Sequence, residues 1–299
     1  MRLRLGTRRS ALALAQSGMM ARALEERHPG LTVELVPMVT TGDVVKGDLA
    51  EFGGKGLFTE ELERGLLDGS LDLAVHSMKD LPVHLPDGLI VAAHPERADP
   101  RDALVSEAAP DIDSLPEGAV VLTGALRRRA QILLRRPDLQ VEPIRGNVDT
   151  RLRKWREQNA GGVILACSGL ERLGLRDLPI HPISPEILLP APCQGTLALE
   201  VRAGSEAEEL VRALDHPSTA RAARIERHVV AAFGGNCTLP LAAWAREEDG
   251  RLRLSALLAT PDGSLAARGE AVGDDPIQVA EDCVAAMRES GADEVLRRL

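Results

Sequence analysis

Four polar side chains of different chemistry crowd into His76-Ser77-Met78-Lys79-Asp80, between the apolar run Leu71-Asp72-Leu73-Ala74-Val75 and Pro82. A carboxylate beside an ammonium and a hydroxyl can stabilise a developing positive charge or carry a proton. In open α/β sheets ligands bind just outside the carboxyl ends of strands, so this cluster is a site candidate. A solvated loop after a core strand explains the same residues equally well. A second chemistry belongs to arginine. Arg8, Arg127, Arg128, Arg145 and Arg151 all stand at strand-to-helix turns rather than in mid-helix. A third belongs to sulfur: Cys237 follows Gly234-Gly235-Asn236, a loop in which a thiol can be reached, although an idle loop cysteine reads the same way.

The arginines lie in an unusual charge setting. Residues 121–160 hold ten Lys and Arg against four acids, a local balance of +6 in a chain of net −9. Arg127, Arg128 and Arg129 occupy the first turns of an expected helix, where cations oppose the macrodipole. A solvated helix face, a nucleic-acid surface and a cleft for carboxylates or phosphates are the competing readings. Nucleic-acid binding usually adds aromatic stacking platforms, and this chain has no Tyr, three Phe and two Trp. Guanidinium forks at helix starts suit the cleft, since they hold carboxylate and phosphate bidentately.

These residues need strands and helices to position them. Residues 2–5 alternate as a strand, Ser10 reads as the N-cap of a helix over 11–27, and Leu31 to Val39 reads as a second strand. That order implies a parallel strand–helix–strand unit with Arg8 and Ser10 at a helix N-terminus, a natural anion seat. Phe52-Gly53-Gly54-Lys55-Gly56-Leu57-Phe58 lacks P-loop spacing and reads as a glycine-rich flap carrying Lys55 and Phe58. A helix to about Asp68 and strands at 71–75 and 89–93 follow. Asp99-Pro100-Arg101-Asp102 reads as a linker. Beyond it come a strand at 120–122, a helix over 125–136, a tight turn at Arg145-Gly146-Asn147 opening another helix, and a strand at 163–167. Pro190-Ala191-Pro192-Cys193-Gln194-Gly195 is a second joint, and Thr196 to Val201 a strand. From Ser218 the pattern becomes a helix, strands near 240–246 and 252–260, and a last helix near 276–290.

Two joints framing one middle segment imply two lobes whose chain crosses over and returns. The expected domains are 1–95 with 196–213, 100–190, and 218–299. Composition is that of a soluble globular chain. No apolar run approaches the ~20 residues needed to span a bilayer. Thr7-Arg8-Arg9-Ser10 precedes too short an apolar run for an export signal, so a cytoplasmic location is expected. The acidic net charge argues against binding to nucleic acid or an anionic membrane. Cys167 looks like core strand, Cys283 like core helix, and Cys193 is ambiguous; no Cys or His spacing suits a metal.

Taken together, Leu5-Gly6-Thr7-Arg8-Arg9-Ser10, Gly53 to Phe58, Ala74 to Asp80, Leu126-Arg127-Arg128, Arg145 to Arg151, Gln194-Gly195 and Cys237 resemble the porphobilinogen deaminase (hydroxymethylbilane synthase) family. The resemblance implies an α/β fold of two periplasmic-binding-protein-like lobes with mixed, mostly parallel sheets, plus a small C-terminal α+β domain. It implies a monomeric enzyme of porphyrin and heme biosynthesis that joins four porphobilinogen units head to tail with release of ammonia. Its primer would be a dipyrromethane cofactor held by a thioether to Cys237. Asp80 would be the catalytic carboxylate, and Ser77, Lys79, Asp80, Arg127 and Arg128 would hold the cofactor. Arg8, Ser10, Arg145, Arg151, Arg172, Gln194, Lys55 and Phe58 would face the substrate; no metal is implied.

Three positions depart from the family pattern. Gly124-Ala125 stands where relatives commonly have Ser-Ser, Glu51 where some have Lys, and Pro192-Cys193 where small residues are usual. The competing reading from another class is a two-lobed small-anion binding protein, which would leave Cys237 without a use.

Overall fold

A computed structural model describes residues 1–41, 59–234 and 239–299. The expected flap at Lys55 and Phe58, Glu51, and Cys237 lie outside the described residues. Among the described residues the chain forms two compact units. One comprises residues 1–98 and 196–221, the other 99–195, 222–234 and 239–299.

The first unit is built on a five-stranded sheet. Its strands are β1 (Arg2–Arg8), β2 (Thr32–Met38), β3 (Leu73–Ser77), β4 (Leu89–Ala93) and β10 (Leu197–Arg202), in the order β2-β1-β3-β10-β4. β1 pairs in parallel with β2 and β3, because helix α1 (Ala11–Arg27) carries the chain back between β1 and β2. β10, which re-enters from the other unit, runs antiparallel to β3 and β4 and leads into helix α6 (Glu206–Val211). Alternate residues of the central strands face α1 and bury Leu3, Leu5, Leu73, Val75, Leu197 and Leu199. Each fully buried leucine is worth about 2 kcal/mol. The opposite face packs against α2 (Glu60–Leu67) through Leu62, Leu66 and Ala74. Ser10 caps α1 as expected, accepting from the Ala13 N–H at 3.3 Å.

The second unit holds another five-stranded sheet, β7-β6-β8-β5-β9, from β5 (Asp102–Val105), β6 (Val120–Leu122), β7 (Gln140–Glu142), β8 (Gly162–Ala166) and β9 (Ile180–Pro182). Helices α3 (Leu126–Arg135), α4 (Val148–Glu157) and α5 (Cys167–Arg172) follow β6, β7 and β8. β6 is parallel to β7 and β8, while β5 is antiparallel to β8 and β9. Both sheets are therefore mixed as expected. Parallel pairing is confined to the strands joined by helical crossovers, and it matches antiparallel pairing in number rather than exceeding it. The same unit contains the antiparallel sheet β11 (Leu241–Glu248), β12 (Arg251–Ala259) and β13 (Ala266–Gly273). It is covered by α7 (Pro217–Ala232), α8 (Pro276–Glu289) and α9 (Ala292–Arg297), with its own core around Val229, Leu254, Cys283 and Met287. Ala130 and Leu189 join Ala242, Leu257 and Ala259 in a smaller core, so this sheet packs on α3.

Two expectations are corrected. Asp99-Pro100-Arg101-Asp102 is not linker throughout: Asp102 opens the buried strand β5, where a carboxylate survives because it is fully paired. Cys167 is buried, as expected of core, but it begins α5 because the strand stops at Ala166.

Candidate active site

In the first unit, parallel pairing of β1 with β3 brings two polar turns to one sheet edge, with Gly6 opposite Ala74. One turn carries Arg8, half-buried at the end of β1, and Ser10, whose hydroxyl is used as the helix cap. The other continues β3 through Ser77 into a one-turn 3₁₀ element, Met78–Asp80. Met78 is buried and its N–H donates to the Thr196 carbonyl of the β10 entry at 3.0 Å, which ties the turn to the sheet. Lys79 is half-buried and Asp80 is exposed. Ser77 and Gln16 of α1 hydrogen-bond at 3.1 Å, so Ser77 is held by a neighbour that sequence reasoning missed. On the α2 face, His76 Nε2 lies 2.8 Å from Glu200 Oε2, both buried, and Glu63 stands near them, its carboxyl raised by burial. Nothing in the sequence linked residue 76 to residue 200, because strand pairing alone joins them.

In the second unit, the arginines divide into two groups. Arg127 and Arg128 are each 4 % exposed and converge on Asp102, which is fully buried. Asp102 Oδ2 accepts from Arg127 Nη2 at 2.7 Å; Oδ1 accepts from Arg128 Nη2 at 2.7 Å and Nε at 3.0 Å. Gln194 Nε2 donates to Asp102 Oδ1 and to the Pro100 carbonyl, both at 2.8 Å. Arg127 also donates to the Leu189 carbonyl and Arg128 to the Ile164 carbonyl. Burial alone would raise the Asp102 carboxyl; Arg127 and Arg128 overcome it and hold it far below the usual carboxylate range. These two arginines, expected on the cofactor, therefore sit behind the surface in an array with Asp102 and Gln194.

Arg145, Arg151 and Arg172 are more open. Arg145 is exposed and Arg151 half-buried at the turn that opens α4, where Arg151 Nε donates to the Gly146 carbonyl at 2.7 Å. A Cβ on Gly124 would lie 2.5 Å from the Ile144 carbonyl oxygen and 4.0 Å from Arg151 Nη2. The Gly124 departure thus lets the turn after β6 lie close against the segment that follows β7. Arg172, at the end of α5, donates from Nη2 to the Gly195 carbonyl at 2.6 Å. Its Nε is buried with no acceptor among the described residues. Burial pulls its guanidinium down to about 10, with only Glu171 opposing. A buried N–H of a cation without an acceptor is costly unless an anion meets it. The donor set fits a ligand bearing several carboxylates: arginines outnumber the acids around Asp102, and Arg172 has an N–H to give.

Residues 3–209 match the family model described as porphobilinogen deaminase, dipyromethane cofactor binding domain, and residues 220–290 match porphobilinogen deaminase, C-terminal domain. The chain is 47% identical over 308 aligned positions to a porphobilinogen deaminase of Syntrophotalea carbinolica, covering 99% of this chain and 96% of the relative. Among solved structures, it is similar to a methionine-binding protein at 13% identity and TM-score 0.42, covering 77% of this chain and 93% of that one. It is also similar to the periplasmic aliphatic sulphonate binding protein of Escherichia coli, at 16% identity and TM-score 0.39, covering 71% and 70%.

Proposed function

The chain belongs to the porphobilinogen deaminase family, and from that membership we propose how its own side chains divide the work. It is a transferase that joins porphobilinogen units head to tail with loss of ammonia, primed by dipyrromethane, and yields hydroxymethylbilane. The match over nearly the whole chain carries this reading. When bound, the dipyrromethane supplies the nucleophilic pyrrole carbon to which the next unit is joined. Cys237 is the proposed thioether attachment point, at the end of the segment that follows α7.

Asp80 is the proposed catalytic residue. It stands exposed on a turn anchored through Met78, so its carboxylate is presented to ligand rather than committed to the fold. As ammonia leaves, positive charge develops on the substrate pyrrole; Asp80 stabilises it and takes the pyrrole proton afterwards. Lys79 and Ser77 hold acetate or propionate groups nearby. Arg8, Ser10, Arg145, Arg151 and Arg172 receive the carboxylates of substrate and growing chain, and the buried Nε of Arg172, with no acceptor among the described residues, supports its place in that set. Arg127, Arg128 and Gln194 serve from behind, through the array around Asp102. Lys55 and Phe58 belong to the proposed flap. The three-domain division at 1–95 with 196–213, 100–190 and 218–299 is supported by the separate sheets and cores. Porphobilinogen is the partner, and the acidic net charge supports the absence of a nucleic-acid partner; action as a monomer in the cytoplasm is proposed from the resemblance. No helix among the described residues is long and apolar enough to cross a membrane.

Intact-protein mass spectrometry tests the reading. Protein from a host that makes porphobilinogen should carry the mass of two linked pyrrole units, and Cys237→Ala should carry none. A wild-type chain of formula mass, with no turnover of porphobilinogen, would return the protein to the class of anion binders.

A further inference from the structure

Two of the points at which the chain passes from one unit to the other, 98/99 and 195/196, lie near one side chain in sequence. Asp102 and Gln194 stand a few residues inside them. Gln194 Nε2 bridges the Pro100 carbonyl on one crossing and the Asp102 carboxylate, at 2.8 Å each, while Gln194 itself belongs to the other crossing. The same carboxylate takes three N–H donations from Arg127 and Arg128 at the start of α3. Asp102 cannot drift, because its backbone is clamped on both sides: it pairs with Ala166 of β8, and its carbonyl accepts from the Ile183 N–H at 2.8 Å. Adjacent helical residues point about 100° apart, so two guanidiniums meeting at one carboxylate require something to draw them together. Charge is not balanced there either. Two guanidiniums face one carboxylate, at a helix N-terminus that already disfavours cations.

We propose that Asp102 is a positioning residue of the reaction: it gathers Arg127, Arg128 and Gln194 into one array at the root of these two crossings and leaves that array one positive charge in excess, for an anionic carboxylate of the bound pyrrole chain to neutralise. This deepens the carboxylate-binding reading above and rests on it. Asp102 touches no substrate; it acts through the two arginines. Because the excess charge of the array attracts carboxylates equally before and during reaction, disturbing it removes uniform binding, which raises KM more than it lowers kcat.

The test uses the full-length, cofactor-loaded protein. Wild-type turnover and pyrrole loading are measured first; an inactive, unloaded wild type sinks the parent reading and this inference with it. In an active background, Asp102→Asn keeps the shape and raises the array from +1 to +2. With no carboxylate to draw them together, the two like-charged guanidiniums separate, and this loss of placement outweighs the added charge: KM for porphobilinogen should rise about tenfold with kcat within a few-fold, while the higher charge makes log KM climb more steeply with log salt than in wild type. Asp102→Glu restores the charge and should restore the salt slope even where KM stays high. A folded Asp102→Asn protein that loses thermal stability but keeps the wild-type KM and salt slope would make Asp102 a merely structural residue and overturn the proposal. If Asp102→Asn does not fold, Gln194→Met removes one donor to Asp102 without altering charge. A raised KM at unchanged salt slope supports the array, and an unchanged KM overturns it.

Discussion

Asp80 and the cysteines carry chemistry on single atoms, and their settings differ accordingly. Asp80 is exposed on its 3₁₀ turn, whereas Cys167, Cys193 and Cys283 are buried. Burial pushes the thiols of Cys167 and Cys283 up to about 12, so neither ionises near neutral pH. The folded protein should therefore resist iodoacetamide at these positions. After denaturation the holoenzyme should take up label at Cys167, Cys193 and Cys283 and not at Cys237, as peptide mass mapping would show; label at Cys237 of a loaded chain would rule out the thioether there. Asp80→Asn removes a charge and almost no volume. It should retain the mass of the pyrrole units while kcat falls by a factor on the order of 10²–10³, read by single-turnover kinetics. At this scale the sequence was informative about Asp80, whose neighbours break an apolar run abruptly. It was silent about Asp102, because an acid beside Pro100 and Arg101 looks like any charged turn until Arg127, Arg128 and Gln194 are folded around it.

Helix starts decide the fate of the arginines. α1 begins with a serine cap, legible from spacing, whereas α3 begins at Ala125 with no side-chain cap. Relatives commonly have Ser-Ser at 124 and 125, and the structure separates the two positions. Ala125→Ser would give α3 a cap and should stabilise the protein by about 1 kcal/mol. Gly124→Ser would push a Cβ to 2.5 Å from the Ile144 carbonyl oxygen and should destabilise by about 1–3 kcal/mol. Denaturant midpoints of the two single variants check the opposite signs; stabilisation by both would mean the Ile144 turn yields easily. The Asp102 array adds a pH dependence to the same helix start. Its carboxyl is held below its unfolded value, so the stability it contributes is present above the ordinary Asp range of about 4 and is lost as pH falls below it. Acid unfolding of Asp102→Asn should accordingly lack part of the wild-type slope below about pH 4. The elements themselves followed from pattern: β1, α1, β10 and α8 match their apolar periods and caps. The short strands β7 and β9 escaped because Gln140-Val141-Glu142 and Ile180-His181-Pro182 hold one aliphatic residue each, whereas the equally short β6 is the apolar run Val120-Val121-Leu122.

Across the whole molecule, charge is sorted against the net sign. A chain of −9 concentrates +6 over residues 121–160, in the unit whose crossings carry Asp102 and Gln194. Part of that excess is quenched internally: Arg135 pairs with Asp113 at 2.6 Å, and Arg136 with Asp138 at 2.7 Å. These pairs take the basic residues at the far end of α3 out of play, whereas Arg145 and Arg151 stand at the turn that opens α4 and Arg172 at the end of α5. The sequence showed the excess but not this division, since pairing depends on loops that only the fold brings to the helix. Substrate attraction should then depend on a few arginines against an acidic background that repels carboxylates. KM for porphobilinogen should rise steadily from ~50 to ~500 mM salt, as screening shortens the reach of those arginines. Arg172→Gln should flatten that rise, because it deletes a positive group whose buried Nε has no acceptor of its own among the described residues. Arg135→Gln, which removes a cation already paired with Asp113, should leave it unchanged. Equal salt slopes for the two variants would mean that net charge alone, and not the position of each arginine, governs the approach of substrate.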